Sequence, residues 1–399
     1  MACALLVLLL AVFLLEAPAA PAAKRLSAAA LRAKLSRLLA KAGPSSGAIV
    51  RQIRSGRAVV RIRAAVPRPL ASNTKLFTTA AALSNLEPLE TRVLATGPPD
   101  PSGDVDGDLF LIGGGDPTLD SAAMRTLAAQ VTAAGVDQIS GGVVGDETLF
   151  DDLRGGPTTG FAFDPEIGGA LGALTFDRGR AVEGGPILND PAWGAAVRFD
   201  DALEERGVIV PDVPQEGDAP SGAVTQLARI TTALGPVVRT TNKRSDNFFA
   251  EILAKGLAAD SGVQGSTAAG AAAIEQFARS QGVAVDLVDG SGLSRSDRAS
   301  PRGVAKLLTR MRQRAKFFAS LPIAGVDGTL ANRMTVGPAH RRCRAKTGTL
   351  SQTSTLSGYC RIRRRTLVFS LLFDQIEPLR ARRLQDRAVQ AIARLRIRR

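Results

Sequence analysis

Three short polar motifs occur in one order along the chain, and their residue types suit covalent catalysis at a carbonyl. Ser72-Asn73-Thr74-Lys75 comes first, Ser245-Asp246-Asn247 second and Lys346-Thr347-Gly348 third. A serine hydroxyl is a weak nucleophile until a base takes its proton. Lys75 follows Ser72 by three residues, so on a helix both side chains share one face, and a helix N-terminus favours the alkoxide. Lys75 serves as base only if its ammonium is disfavoured, which burial or a second cation achieves; Lys346 is the candidate second cation. Ser245 can relay a proton to a leaving amine, and Asn247 can hold Lys75 and a substrate amide. Read alone, that tripeptide is more readily a helix N-cap, because Ser and Asp are preferred there. Lys346 and Thr347 can bind a substrate carboxylate. Gly348 has no side chain, so a ligand backbone can come close, and an extended peptide can add alongside as a strand. The amides of Ser72 and Thr349 are candidates for an oxyanion hole.

Other patterns lead nowhere chemical. Gly43-Pro44-Ser45-Ser46-Gly47 has the nucleophile-elbow spacing but precedes a predicted strand instead of following one. His340 is the single histidine, beside Arg341 and Arg342, which argues against a Ser-His-Asp triad. Gly113-Gly114-Gly115-Asp116 lacks the lysine and hydroxyl of a phosphate loop and reads as a tight turn. One histidine and unclustered cysteines argue against a catalytic metal, and no cofactor is expected.

These motifs need a frame. The chain has 399 residues with 45% hydrophobic content, enough for a large core and about two domains. Its net charge is +14, which suggests an anionic partner. No zinc-finger spacing, aromatic RNA-binding motif or basic recognition helix accompanies the charge, so nucleic acid is not expected. Anionic envelope polymers or a membrane surface are the alternative, and a solvated arginine-rich face is the plain reading. Leu5 to Leu15 is almost wholly apolar and Ala17 to Ala23 is small and Pro-rich. This reads as a signal peptide over 1–23, hence export, although no Lys or Arg precedes the apolar run; an uncleaved anchor and a misassigned start are its rivals.

Helical spacing marks Leu31 to Leu39, and a strand pair follows at Gly47–Ile53 and Ala58–Ile62. A helix opens at Ser72. From about Thr91 the texture becomes rich in Gly, Pro and Asp, with short strands and a helix near Ser121 to Ala134. This reads as an α/β insertion over 91–190. Pro191 to Arg206 reads as a helix of the main domain again, so that domain comprises 24–90 and 191–399. A hairpin is predicted over Arg344–Gly348 and Thr355–Ile362, and a last amphipathic helix over about Leu379 to Leu395. Antiparallel partners have residue numbers of constant sum, so Cys343 and Cys360 can lie opposite each other about a turn between Ser351 and Gln352. In an oxidising compartment they form a cross-strand disulfide; otherwise they are two buried thiols.

The flanks of the motifs carry a resemblance. Ala71-Ser72-Asn73-Thr74-Lys75-Leu76-Phe77-Thr78 resembles the nucleophile segment of D-alanyl-D-alanine carboxypeptidases of the serine peptidase group that includes penicillin-binding protein 4. Asp289-Gly290-Ser291-Gly292-Leu293-Ser294-Arg295, the run from Leu321 to Leu330, Lys346 to Leu350, and Ser357-Gly358-Tyr359 are similar to further segments of that group. The resemblance implies an α/β (α+β) fold: a β-lactamase/transpeptidase-like domain with a five-stranded antiparallel sheet, helices on both sides, and insertions between the first two motifs. It implies a serine DD-carboxypeptidase, and a possible DD-endopeptidase, acting on peptidoglycan stem peptides, with β-lactams as covalent inhibitors. Asp146 and Arg295 match positions that recognise the stem side chain in relatives. Family members commonly carry two insertions; after Leu174 only a short stretch precedes Asn189, so the second is expected to be lost or reduced to a loop. The 173 positions between Ser72 and Ser245, and the lack of a Glu-x-x-Leu-Asn segment, count against a class A β-lactamase. A β-lactamase or esterase on the same fold, or a non-catalytic envelope-binding protein, remain the alternatives.

Overall fold

Residues 25–396 are described by a computed structural model. The leader expected over 1–23 lies outside them. Among the described residues no helix is long and apolar enough to cross a membrane.

The strand Arg365–Asp374 explains the main domain. Its run Thr-Leu-Val-Phe-Ser-Leu-Leu-Phe is apolar at almost every position, as expected of a strand covered on both faces. Leu367, Phe369, Leu371 and Phe373 enter one core with the first helix, Ala28–Ala42, and the last, Pro378–Ile392. Val368 and Leu372, on the other face, meet Leu76 and Phe77 of the helix Thr74–Asn85 and Val304, Leu307 and Leu308 of the helix Pro301–Met311. Five antiparallel strands line up in the order Cys343–Leu350, Thr353–Ile362, Arg365–Asp374, Gly47–Gln52 and Ala58–Ile62. Helices therefore sandwich the expected five-stranded sheet.

A second sheet forms the insertion, in the order Thr225–Thr232, Leu89–Ala95, Leu109–Ile112, Val143–Asp146 and Gln215–Glu216. The last three strands run parallel, and the helix Ser121–Ala133 is the crossover that such a pair requires. The boundary expected at residue 190 is wrong. The helix Pro191–Glu204 buries Ala192, Ala195, Ala196 and Phe199 against Leu127, Val131 and Val143 of the insertion, and Thr225–Thr232 pairs with Leu89–Ala95. The insertion thus runs from about 89 to 232. A cause is visible at Gly145: a Cβ there would lie 2.4 Å from the carbonyl oxygen of Ala192, so this glycine lets the helix sit directly on the strand. Between Leu174 and Pro191 the chain makes only the 3-10 turn Phe176–Arg178 and loop.

Candidate active site

Ser72 sits in a 3-10 turn, Ala71–Asn73, that runs into the helix Thr74–Asn85. The turn is bolted to the sheet. Asn73 Nδ2 donates to the Lys346 carbonyl at 3.2 Å and to Thr355 Oγ1 at 2.8 Å, and Thr355 Oγ1 donates to the Leu70 carbonyl at 2.8 Å. Gly348 makes this possible. A Cβ on it would stand 2.2 Å from Thr355 Oγ1 and 2.9 Å from the Ser72 nitrogen, so the missing side chain makes room for the protein's own nucleophile turn, more than for a ligand.

Lys75 is fully buried. Its Nζ lies 3.3 Å from Ser72 Oγ, 2.6 Å from Asn247 Oδ1 and 2.6 Å from the Ser291 carbonyl. Asn247 is oriented by donating its Nδ2 to the Glu166 carbonyl at 2.6 Å, so its oxygen must face Lys75. A neutral amine has two N–H groups and one lone pair. The two short contacts accept both hydrogens, and the lone pair is left for the Ser72 hydroxyl. The middle motif carries both of its sequence readings at once. Asp246 is the N-cap of the helix Asn247–Asp260, accepting from the Phe249 amide at 3.1 Å, while Ser245 and Asn247 on either side turn into the cleft. Ser245 is held in left-handed backbone at φ +61°, a disfavoured state that persists where surrounding contacts impose it. Its Oγ is 2.7 Å from Lys346 Nζ, which also donates to the Thr347 carbonyl at 2.9 Å.

Burial pushes the Lys75 ammonium down to about 8, against the opposing pull of Asp289, Glu251 and Asp246. Lys346 is driven well below the usual lysine range, first by burial and then by the charge of Lys75. The expected direction of influence is therefore reversed: Lys75 owes its shift to desolvation, and Lys346 is the lysine that a neighbouring charge disfavours. Beneath them, Glu251 is raised to about 7 by burial and by Asp289. Its carboxylate accepts from the amides of Gly290 and Ser291 at 3.1 and 2.7 Å, which presents the Ser291 carbonyl to Lys75. The adjacent Gly292, at φ +85°, would place a Cβ 2.0 Å from the Ala71 carbonyl. The segment Asp289–Arg295 is thus a cradle for the nucleophile turn and its base.

The cleft has a volume of about 840 Å³. One wall is the edge strand Cys343–Leu350. Cys343 and Ala345 point their backbone groups outward and bond to the segment 322–339. Thr347 and Thr349 continue that outward series by the alternation of an antiparallel ladder; among the described residues no backbone segment covers them, and both line the cleft. Thr347 Oγ1 is 2.8 Å from Thr329 Oγ1, and Thr349 Oγ1 accepts from Arg382 at 3.1 Å. The opposite wall is the loop through Thr158, Thr159, Asp164 and Glu166.

Ser72, Lys75, Ser245, Asn247, Lys346, Thr347, Gly348 and Thr349 all converge. Asp146 does not. Its carboxylate closes a turn with Thr148 N and Oγ1 and accepts from the Ala219 amide, inside the insertion and off the cleft. Arg295 lies beside the cleft rim, donating to the Ser351 carbonyl at 2.6 Å and pairing with Asp374 at 2.9 Å. Cys343 and Cys360 are register partners and are joined as a disulfide. Sequence reasoning missed Arg382, the loop 158–166, and Arg178, which pairs with Asp246 and packs over Phe248 and Phe249. No local pattern marks any of them.

Known proteins resemble the chain in sequence and in fold. The D-Ala-D-Ala carboxypeptidase 3 (S13) family matches residues 31–162 and 177–395. A D-alanyl-D-alanine carboxypeptidase of Actinomadura sp. (strain R39) is 31% identical over 396 residues, spanning 76% of this chain and 72% of that one. Penicillin binding protein 4 of Haemophilus influenzae has the same fold, with a TM-score of 0.76, 21% identity, and coverage of 90% and 98%. A predatory endopeptidase of Bdellovibrio bacteriovorus shares the fold at a TM-score of 0.58 and 18% identity, over 87% and 92% of the two chains. The protein is a member of the D-Ala-D-Ala carboxypeptidase 3 (S13) family.

Proposed function

We propose that the protein is an exported serine carboxypeptidase that trims the terminal D-Ala from peptidoglycan stem peptides through an acyl-enzyme on Ser72. The observation that carries this reading is the arrangement of Lys75, with two short acceptors for its hydrogens and Ser72 Oγ as the remaining neighbour. The stem lies extended along Thr347–Thr349, adding to the open edge. Ser72 attacks the carbonyl of the penultimate D-Ala while Lys75 takes its proton. The amides of Ser72 and Thr349 receive the developing oxyanion. Ser245, bonded to Lys346, passes a proton to the departing amine. Water then releases the acyl-enzyme by the reverse relay.

The leaving residue carries a carboxylate, and a persistent positive charge must meet it. Lys346 is committed to Ser245 and its ammonium is disfavoured. Arg382 reaches Thr349 Oγ1, lines the cleft and is in no ion pair among the described residues. A guanidinium fork matches a carboxylate with two parallel donors, so Arg382 with Thr347 and Thr349 forms the carboxylate subsite. A β-lactam presents the same carboxylate and a strained amide, and acylates Ser72. Incubation with a fluorescent penicillin tests the reading: wild type should be labelled covalently and Ser72→Ala should not. Equal labelling of both would refute it. Mass spectrometry of stem peptides and cross-linked dimers then measures carboxypeptidase against endopeptidase action.

A further inference from the structure

A second concavity, of about 470 Å³, lies at the other end of the strand that borders the active site. Residue 344 faces it and residue 349 faces the cleft, about 17 Å apart at the rise of a β-strand. Seven arginines line it. Arg341, Arg342 and Arg344 come from the start of the edge strand and its approach. Arg361 and Arg363 come from the end of the next strand, Arg312 from the end of a helix, and Arg25 from the first described residues. None is in an ion pair among the described residues. The catalytic reading uses none of them.

The pocket is preorganised. The guanidiniums of Arg312 and Arg344 both stack on Phe318 at 4.1 Å from its centroid. Arg344 Nη1 also donates to the Phe318 carbonyl at 2.8 Å, and Arg312 Nε is buried without a partner. Burial and the neighbouring Arg312 disfavour the charge on Arg344. Arg341 at φ +58° and Arg363 at φ +52° occupy left-handed backbone, where glycine or asparagine is the ordinary choice. The two strands that present Arg342, Arg344 and Arg361 are clamped between them by the Cys343–Cys360 disulfide. Asp327 is the one carboxylate that favours the charge on Arg344, and it forms its ion pair with Lys243. A cluster of like charges without ion pairs among the described residues, held rigid at disfavoured backbone positions, is complementary to a multivalent anion.

We propose that this pocket binds a soluble polyanion that carries several phosphate groups along a flexible chain. Phosphate suits it because each group brings more than one charge and matches the guanidinium fork. The concave form suits a chain that can enter and reach Arg312 and Arg344, which a flat bilayer surface would not. Titration calorimetry of the full chain with inorganic tripolyphosphate tests this. Saturable binding is expected, weakened several-fold when sodium chloride rises from about 50 to about 200 mM. Citrate should bind at least about tenfold more weakly. Arg342→Gln with Arg361→Gln, both exposed, should weaken tripolyphosphate about tenfold or more and leave penicillin labelling of Ser72 unchanged. The charge-matched control, Arg380→Gln with Arg383→Gln on the last helix, should keep wild-type affinity. The proposal is overturned if wild type does not bind, if both double variants lose equally, or if citrate binds as well. It is likewise overturned if phosphatidylglycerol vesicles capture the protein through Arg342 and Arg361 while tripolyphosphate does not bind.

Discussion

Acylation of Ser72 should be limited below pH 8 by protonation of Lys75. The ammonium is buried and titrates at about 8, and only the neutral amine can take the Ser72 proton. The neutral fraction is about 1% at pH 6, about 9% at pH 7 and about 50% at pH 8, from the titration of a single group. Protonation of Glu251 below about pH 7 removes a charge that favours the ammonium and softens the acid end, so the second-order rate of acylation by a fluorescent penicillin, followed by stopped mixing and gel fluorescence, should rise by up to about 50-fold from pH 6 to pH 8 and level off near pH 9. The same reasoning sets the sign of a second profile. Above about pH 7, where Glu251 is ionised, its carboxylate favours the Lys75 ammonium, so Glu251→Gln removes that support and lowers the pKa of the base. Its acid limb should shift to lower pH even if the plateau rate falls through weaker hold on Gly290 and Ser291. A flat wild-type profile between pH 6 and 8, or a limb displaced upward in Glu251→Gln, would refute Lys75 as the base.

Three further outcomes follow from the geometry. Gly348→Ala drives a methyl into Thr355 Oγ1 and toward the Ser72 amide; displacement of the nucleophile by about 1 Å should slow acylation about 100-fold, read by the same labelling assay. Arg382→Gln should lower kcat/KM about 10- to 100-fold on a D-Ala-D-Ala peptide with a free carboxylate and far less on its C-terminal amide; equal losses would remove Arg382 from the subsite. Lys255, fully buried, pairs with Asp151 at 2.5 Å and donates to the Leu153 carbonyl at 2.8 Å. Lys255→Met leaves both without a partner and should reduce stability by about 3 kcal/mol in urea unfolding, with penicillin labelling retained.

What could be read from the residues was local or followed a fixed period. The register of Cys343 against Cys360, the pair Gly47–Gln52 and Ala58–Ile62, and the Asp246 cap beside two site residues are all statements about neighbours in sequence or across one turn. The helix Pro191–Glu204 was found at nearly its true ends but assigned to the wrong domain, because periodicity marks an apolar face without saying which sheet covers it. Asp146 went astray for a related reason: its carboxylate is consumed by a Thr148 turn and by the Ala219 amide, 73 residues away. The relative charge states of Lys75 and Lys346 depend on burial and mutual distance, neither of which is written in a spacing. Arg382 belongs to the same class. It lies on a helix whose pattern is ordinary, and only the packing of that helix on the sheet, whose strands come from the chain's two ends, brings it to Thr349.

That packing also decides when the enzyme can exist. The strand Gly47–Gln52 lies between Ala58–Ile62 and Arg365–Asp374, and Asn73 is tied to a carbonyl 273 residues later. At 5–20 residues per second, about 15–60 s separate the emergence of the nucleophile turn from that of its last sheet partner. The insertion, whose strands all fall between 89 and 232, has its neighbours in hand during that interval. The order of synthesis therefore builds the accessory sheet first and withholds an aligned Ser72 until the carboxyl end of the chain arrives. A truncated product would carry the nucleophile without the means to use it.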